Sequence, residues 1–280
     1  MNTSKMVFDL GAHHGEDSLY YLRKGYRVIA VEANPNCADR IRATFAAEIS
    51  SGHLTLVQAA LWHRGDRKIP FYVNQRVSVW GTVVPSWAER NKKLGANSDA
   101  IQVRTITIPQ LLKQFGIPYY IKIDIEGFDL AVLRQLARYA TSHREFTSCR
   151  YLSWESSKTR LADLVEEYDL ADQMGFRKFA IVPQHLISGL APALIKRRGK
   201  PITHPWAAGS SGPFGKGLSQ AYLERLDSIQ LYQNIFFKYQ LYGDSSALPE
   251  RFNKRMATSL TREIEKHFGP AGWYDTHAAR

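Results

Sequence analysis

Two short segments near the start of the chain constrain its fold more than anything else in the sequence. Val7-Phe8-Asp9-Leu10 is an apolar run that stops at a glycine-containing turn, and helical character follows from about Asp17 to Lys24. Gly25-Tyr26 breaks that helix. Arg27-Val28-Ile29-Ala30-Val31-Glu32 is then β-branched and almost continuously apolar, the pattern of a strand buried on both faces. Strand, helix and strand form a βαβ unit, which implies parallel pairing and a right-handed crossover.

The alternation continues. A helix is expected from about Cys37 to Ile49, a third strand at Leu54 to Gln58, and a buried strand over Tyr119 to Asp124 followed by a helix over Leu130 to Ala137. Tyr151 to Glu155 and Arg177 to Val182 read as the last two strands, with a helix from Leu161 to Met174 between them. The fold class is therefore α/β: a doubly wound, mostly parallel Rossmann-like sheet. Short alternating strands and Trp/Gly/Pro turns between Lys68 and Val84 predict a hairpin insertion.

Residues 1–183 are expected to form this domain and 184–280 a C-terminal extension, loop-rich and then mainly helical, that covers the acceptor or contacts another subunit. In the extension, Trp206 to Gly217 is rich in Gly, Ser and Pro and marks a loop, either a linker or a lid. Leu218 to Tyr242 and Arg251 to His267 have helical character, although the aromatic content of Gln230 to Tyr242 leaves a strand open there.

Composition narrows the class further. The 280 residues carry 44% hydrophobic and 22% charged side chains, ordinary for a globular protein. No window reaches the roughly 18 to 20 apolar residues needed to cross a bilayer, no secretory pattern precedes the first strand, and a cytoplasmic location is expected. The two cysteines, Cys37 and Cys149, lack the spacing of a zinc site and read as reduced structural thiols. A formal net charge of +11 favours an anionic partner, without choosing among nucleic acid, a phosphorylated sugar and an acidic membrane surface. The basic clusters, Lys196-Arg197-Arg198 with Lys200 and Arg251 with Lys254 and Arg255, are not interleaved with stacking aromatics, and a solvated face explains them as well.

Asp9 ends the first strand, and Gly11 and Gly15 in the turn leave the backbone free to bend and to approach a ligand. The spacing is G-x-x-x-G, not the three-glycine turn of a dinucleotide enzyme, which weakens a dehydrogenase reading. Glu32 ends the second strand about twenty positions on, where an acid accepts hydrogen bonds from both ribose hydroxyls. By the same geometry Asp9 can accept one at the far end of a nucleoside cofactor, and the alternative is that both acids merely cap the helices after their strands.

Three blocks carry a family resemblance: Val-Phe-Asp-Leu-Gly-Ala-His-His-Gly from Val7, Val-Ile-Ala-Val-Glu-Ala-Asn-Pro from Val28, and Ile-Lys-Ile-Asp-Ile-Glu-Gly-Phe-Asp-Leu-Ala-Val-Leu from Ile121. Together they resemble the FkbM-type methyltransferases over roughly Val7 to Val182. The resemblance implies S-adenosylmethionine as cofactor and O-methylation of a sugar, glycolipid or related natural product. It makes Asp9, Gly11, His13, Gly15, Asp17, Ser18, Glu32, Ala33, Ala60, Leu61 and Asp124 the candidate cofactor residues, with the adenine expected beside Ala59-Ala60-Leu61-Trp62. Ser210 to Gly215 is similar to a loop near the end of some members and is expected to close over the acceptor.

Methyl transfer from a sulfonium is an in-line displacement, so the protein must hold an acceptor oxygen in line and remove its proton. Asp124, Glu126, Glu155 and His13 or His14 are the candidate bases. No metal is expected at Asp124 and Glu126, because alternate residues on a strand point to opposite faces unless a turn intervenes. No helix precedes Val7 to cover the cofactor, so cover is expected from the C-terminal segment or from a second copy in a homodimer. The rival readings are a nucleic-acid methyltransferase, with Trp80, Trp87 and Trp206 as stacking candidates, and a non-catalytic module that keeps the fold. The first lacks the Asn/Asp-Pro-Pro-aromatic turn that holds a base amino group, having Asp124-Ile-Glu-Gly instead.

Overall fold

A computed structural model describes residues 5–197, 200–243 and 262–280. In chain order its first half contains β1 (Met6–Leu10), α1 (Glu16–Arg23), β2 (Arg27–Glu32), α2 (Pro35–Thr44), α3 (Ala46–Ser50), β3 (Leu54–Gln58), β4 (Ala60–Leu61), β5 (Lys68–Asn74), α4 (Pro85–Lys93), β6 (Ser98–Ile106) and α5 (Ile108–Phe115). Then follow β7 (Tyr120–Ile123), α6 (Asp129–Ser142), β8 (Tyr151–Glu155), α7 (Leu161–Gln173), β9 (Lys178–Pro183), β10 (Ala193–Arg197), β11 (Lys200–His204), α8 (Arg225–Tyr242) and β12 (Tyr274–Ala279).

Seven strands form the central sheet in the order β3-β2-β1-β7-β8-β12-β9. The pairs from β3 to β8 are parallel, and β12 runs antiparallel to both β8 and β9. Alternate residues of the central strands bury on opposite faces: Phe8 and Leu10 join the core under α6 and α7, whereas Val7 and Val28 join Tyr21 and Phe45 on the other side. Local signals agree with this layering. Asn34 caps α2 by accepting from the Asn36 amide, and Thr107 and Gln110 close a capping box at the start of α5. Phe45 interrupts the expected long helix after β2, and its ring sits 2.4 Å from where a Cβ on Gly15 would lie.

Three parts depart from the expectation. The insertion is wider than a hairpin over 68–84: β5 pairs antiparallel with β6 across its whole length, from Lys68↔Arg104 to Asn74↔Ser98, and α4 lies between them. Strand β6 escapes sequence detection because its side chains are largely exposed, with only Val103 and Thr105 buried. The segment after residue 183 is not confined to loops and helices, since its last strand, β12, enters the sheet between β8 and β9. Finally, the Gly/Ser-rich stretch is packed, with Trp206, Ser210, Ser211 and Phe214 all buried. The expected helix Arg251 to His267 falls largely outside the described residues, although 262–268 is helical. Arg198, Arg251, Lys254 and Arg255 also lie outside them.

Candidate active site

The chain leaves β1 toward β2 and β3 on one side and returns to β7 on the other, so a crevice opens beyond the carboxyl ends of β1 and β7. A cavity of about 510 Å³ fills that crevice. Its lining includes Gly11, His13, Asp17, Glu32, Ala33, Ala60, Leu61 and Asp124 among the cofactor candidates, and Glu126 and Glu155 among the candidate bases. Asp9, Gly15 and Ser18 are not part of the lining. The glycines serve packing: a Cβ on Gly11 would stand 1.8 Å from the Asp124 carbonyl oxygen, so the turns after β1 and β7 meet only because that side chain is absent.

Glu32 anchors the β2 end of the cavity. Its carboxylate accepts the amides of His13, at 2.8 Å, and Asn34, at 2.7 Å, one on each oxygen. Burial nevertheless pushes its pKa up to about 7, the two amides only partly offsetting the loss of water. Each oxygen keeps lone-pair capacity for another donor. The His13 ring is tied down by Glu16, at 3.1 Å, and Ser78, at 2.8 Å, and its backbone sits at φ 48, in the left-handed region. His14 also faces Glu16, and burial lowers its pKa.

At the centre lies a buried charge cluster that sequence reasoning only half saw. Lys122 points from β7 beneath the turn and stands 3.4 Å from Asp9, 3.4 Å from Asp17 and 3.5 Å from Asp124, while donating to the Gly11 carbonyl at 3.2 Å. Ser18 donates to Asp9 at 2.6 Å. Asp9 is fully buried, and its Oδ1 has no hydrogen-bond partner. Burial raises the pKa of Asp17 to about 6, although Lys122 and the Ser211 amide pull the other way. One ammonium faces three carboxylates, so the cluster carries spare negative charge that a cationic ligand can neutralise.

The β7–β8 end carries a second group of carboxylates. Strand β7 stops at Ile123, so Asp124 and Glu126 lie in the turn and the alternation that was expected to separate them does not apply. Oxygens of Asp124, Glu126 and Glu155 fall within 4.8 Å of one another. Lys158 pairs with Glu155, and Gln184 donates to Asp124 at 3.4 Å. Glu126 makes no hydrogen bond or salt bridge through its carboxylate among the described residues. Burial, with Glu155 and Asp124 opposite, drives its pKa well above the ordinary value against the smaller pull of Arg90. Such a carboxylate set can accept protons or, chemically, hold a hard cation, as a His13, His14 and Cys37 group with donors equally close can hold a softer one.

The insertion fixes that turn. Thr82 donates to the Glu126 carbonyl at 2.7 Å, Glu126 adopts φ 52, and a Cβ on Gly127 would stand 2.5 Å from the Trp87 ring. Trp62 stacks on Phe128 at 4.8 Å and does not line the cavity. Of the three tryptophans considered for base stacking, Trp80 lines the cavity, Trp87 lies under Arg90 at 4.4 Å, and Trp206 packs on Tyr20 at 4.8 Å.

Several contributors, Trp80 apart, had little sequence signal. Phe71, Trp80, His185 and Trp273 wall the cavity, and Asp275 on β12 sits in register with Glu155, 1% exposed, with one oxygen lacking a hydrogen-bond partner. The lysine of Ile-Lys-Ile-Asp was the one available hint, a charge inside a strand otherwise buried on both faces. Cover for the cavity comes in part from the C-terminal segment, through His185, Ser188, Ala208, Gly209 and Trp273. The lining carries six carboxylates, Glu16, Asp17, Glu32, Asp124, Glu126 and Glu155, and one lysine, Lys122, with Lys158 behind it paired to Glu155.

Comparison with known proteins completes the picture. Among solved structures, the chain is similar to precorrin-6y C5,15-methyltransferase from Geobacter metallireducens, with 14% identity, 72% of this chain and 73% of that one covered, and a TM-score of 0.36. It is also similar to precorrin 8w decarboxylase from Methanobacterium thermoautotrophicum, with 11% identity, 71% and 75% covered, and a TM-score of 0.36. Phosphoethanolamine N-methyltransferase 2 from Haemonchus contortus, solved in complex with S-adenosyl-L-methionine, matches at 9% identity over 100% of this chain and 49% of that one, with a TM-score of 0.38. Likenesses this distant say nothing about the acceptor. No curated protein matches, and no helix among the described residues is long and apolar enough to cross a membrane. The family profile described as the methyltransferase FkbM domain matches residues 9–177, well over half of the chain. The chain therefore belongs to the FkbM methyltransferases, and with that membership goes S-adenosylmethionine as its cofactor.

Proposed function

We propose that this enzyme methylates a hydroxyl of a neutral, polyhydroxylated acceptor, a sugar or glycolipid headgroup, with Glu126 as the base. The observation that carries the reading is the unpaired Glu126 carboxylate at a pole shared with Asp124 and Glu155. An anionic acceptor finds no unpaired cation among the residues lining this end, whereas hydroxyl groups find carboxyl oxygens for their protons.

The residues fit the cofactor. Glu32 retains lone pairs for two ribose hydroxyls, Ala60 and Leu61 offer an apolar slot for the adenine, and the excess carboxylate around Lys122 suits a ligand bearing an ammonium and a sulfonium. When bound, the cofactor supplies a methyl group on positively charged sulfur, open to attack in line. Asp124, steadied by Lys122 and Gln184, marks the boundary between cofactor and acceptor.

Glu126 takes the hydroxyl proton as the acceptor oxygen attacks; its raised pKa brings it closer to that of the proton donor than an ordinary carboxylate. Trp80, Phe71 and Trp273 give the sugar faces apolar surface. In this reading His185, Ser188 and Trp273 of the C-terminal segment cover the acceptor, and the two free, buried cysteines suit the reducing cytoplasm.

A screen with S-adenosylmethionine carrying a labelled methyl group tests the proposal against neutral glycosides, their phosphorylated counterparts and RNA. Label on neutral glycosides alone is expected, and preferential label on phosphorylated sugars or RNA contradicts it.

A further inference from the structure

The Gly/Ser-rich stretch that looks like a lid is bound to the buried charge cluster. The Ser211 amide donates to both Asp17 oxygens, at 3.1 and 3.0 Å, and the Gly212 amide adds a third contact at 3.3 Å. Gln184 extends the connection, donating to the Ser211 hydroxyl at 3.1 Å and to Asp124 at 3.4 Å. Two of the three carboxylates around Lys122 are thus oriented from the C-terminal segment.

Aromatic packing holds the strap at both ends. Trp206 rests on Tyr20, and Phe214 stacks on Tyr120 with 3.8 Å between ring centroids and 14° between planes. Gly212 at φ 85 fixes the direction of its amide, and a Cβ there would stand 2.8 Å from Ile187. Between the anchors, Ala208 and Gly209 face the cavity.

Position along the sheet edge identifies what the strap serves. Glu32 ends β2, Asp17 is in the first turn of α1 after β1, Lys122 is on β7 and Asp124 follows it. A nucleoside with its ribose at Glu32 and its base toward Ala60 directs its 5′ substituent over β1 and β7. We infer that the 206–214 strap, together with Gln184, builds the subsite for the amino-acid end of the cofactor, rather than a lid over the acceptor. The ammonium of that end finds carboxylates at Asp17 and Asp124, whose charge Lys122 does not balance. This inference rests on the proposed placement of the nucleoside.

The test compares S-adenosylhomocysteine with 5′-methylthioadenosine, which keeps nucleoside and sulfur but lacks the amino-acid end, by calorimetric titration of the full chain. Gln184→Leu is expected to weaken S-adenosylhomocysteine about tenfold and to leave methylthioadenosine within about twofold. Ser211→Ala keeps the backbone amides on Asp17 and loses only the hydroxyl link, so a smaller loss of the same selective kind is expected. Equal weakening of both ligands, or no change in either, overturns the inference. Failure of the wild-type chain to bind either ligand overturns the placement of the nucleoside along with it.

Discussion

The two ends of the cavity hold their carboxylates in opposite ways. Glu32 is braced by two backbone amides, one on each oxygen. Glu126 has no bonded partner among the described residues and faces two further carboxylates. A braced carboxylate is suited to holding two fixed hydroxyl donors for the whole catalytic cycle. An unbraced one with a raised pKa is suited to taking up a proton and giving it away. The middle cluster combines both arrangements, since Lys122 binds three acids without neutralising them.

The sharpest way to break this contrast is Glu126→Gln. The account predicts a fall of roughly 10² to 10⁴ in methyl transfer, the usual contribution of a general base, with S-adenosylhomocysteine affinity unchanged. Equal loss of affinity and rate would place Glu126 in the cofactor pocket instead.

A pH titration sharpens the comparison at the other end. The folded-state pKa of Glu32, about 7, and that of Asp17, about 6, both lie above their unfolded values. The native state therefore binds protons more tightly, and these groups make folding less favourable as pH rises from about 4 to about 7. Cofactor binding has the opposite sign, because hydroxyls and cations prefer the ionised acids. Affinity for S-adenosylhomocysteine is predicted to drop roughly tenfold from about pH 8 to about pH 6, and calorimetry across that range in constant salt checks it.

The smallest effect concerns the turn itself. Thr82→Val removes the hydrogen bond to the Glu126 carbonyl, and a stability loss of about 1 kcal/mol is expected in denaturant melts. If stability drops without any change in methyl transfer, the insertion supports the fold and does not position Glu126.

What the sequence revealed follows the same division. The β2 end was legible because β1, α1 and β2 are consecutive, and their apolar runs and turn glycines are local signals. Asp124, Glu126 and Glu155 were legible as residues at strand ends, although the alternation argument misplaced their relation because the strand stops one residue earlier than assumed. Strand β12 was not legible: Tyr-Asp-Thr-His-Ala-Ala is half polar, yet all six residues are buried between β8 and β9. The strap was equally opaque, because its bonds come from main-chain amides reaching an aspartate nearly two hundred positions away. Asp9 was legible as a strand-end acid, whereas its pairing with Lys122 comes from a strand more than a hundred positions away.

The central claim is that Glu32 and the cluster beyond it form one cofactor site. Calorimetric titration of wild type and Glu32→Ala with S-adenosylhomocysteine, with NAD as control and circular dichroism to check the fold, tests it most directly. The account predicts binding of the sulfur nucleoside alone by wild type and a loss of about 100-fold in the variant, since two charge-assisted hydrogen bonds disappear. A folded variant that binds as tightly as wild type would contradict it.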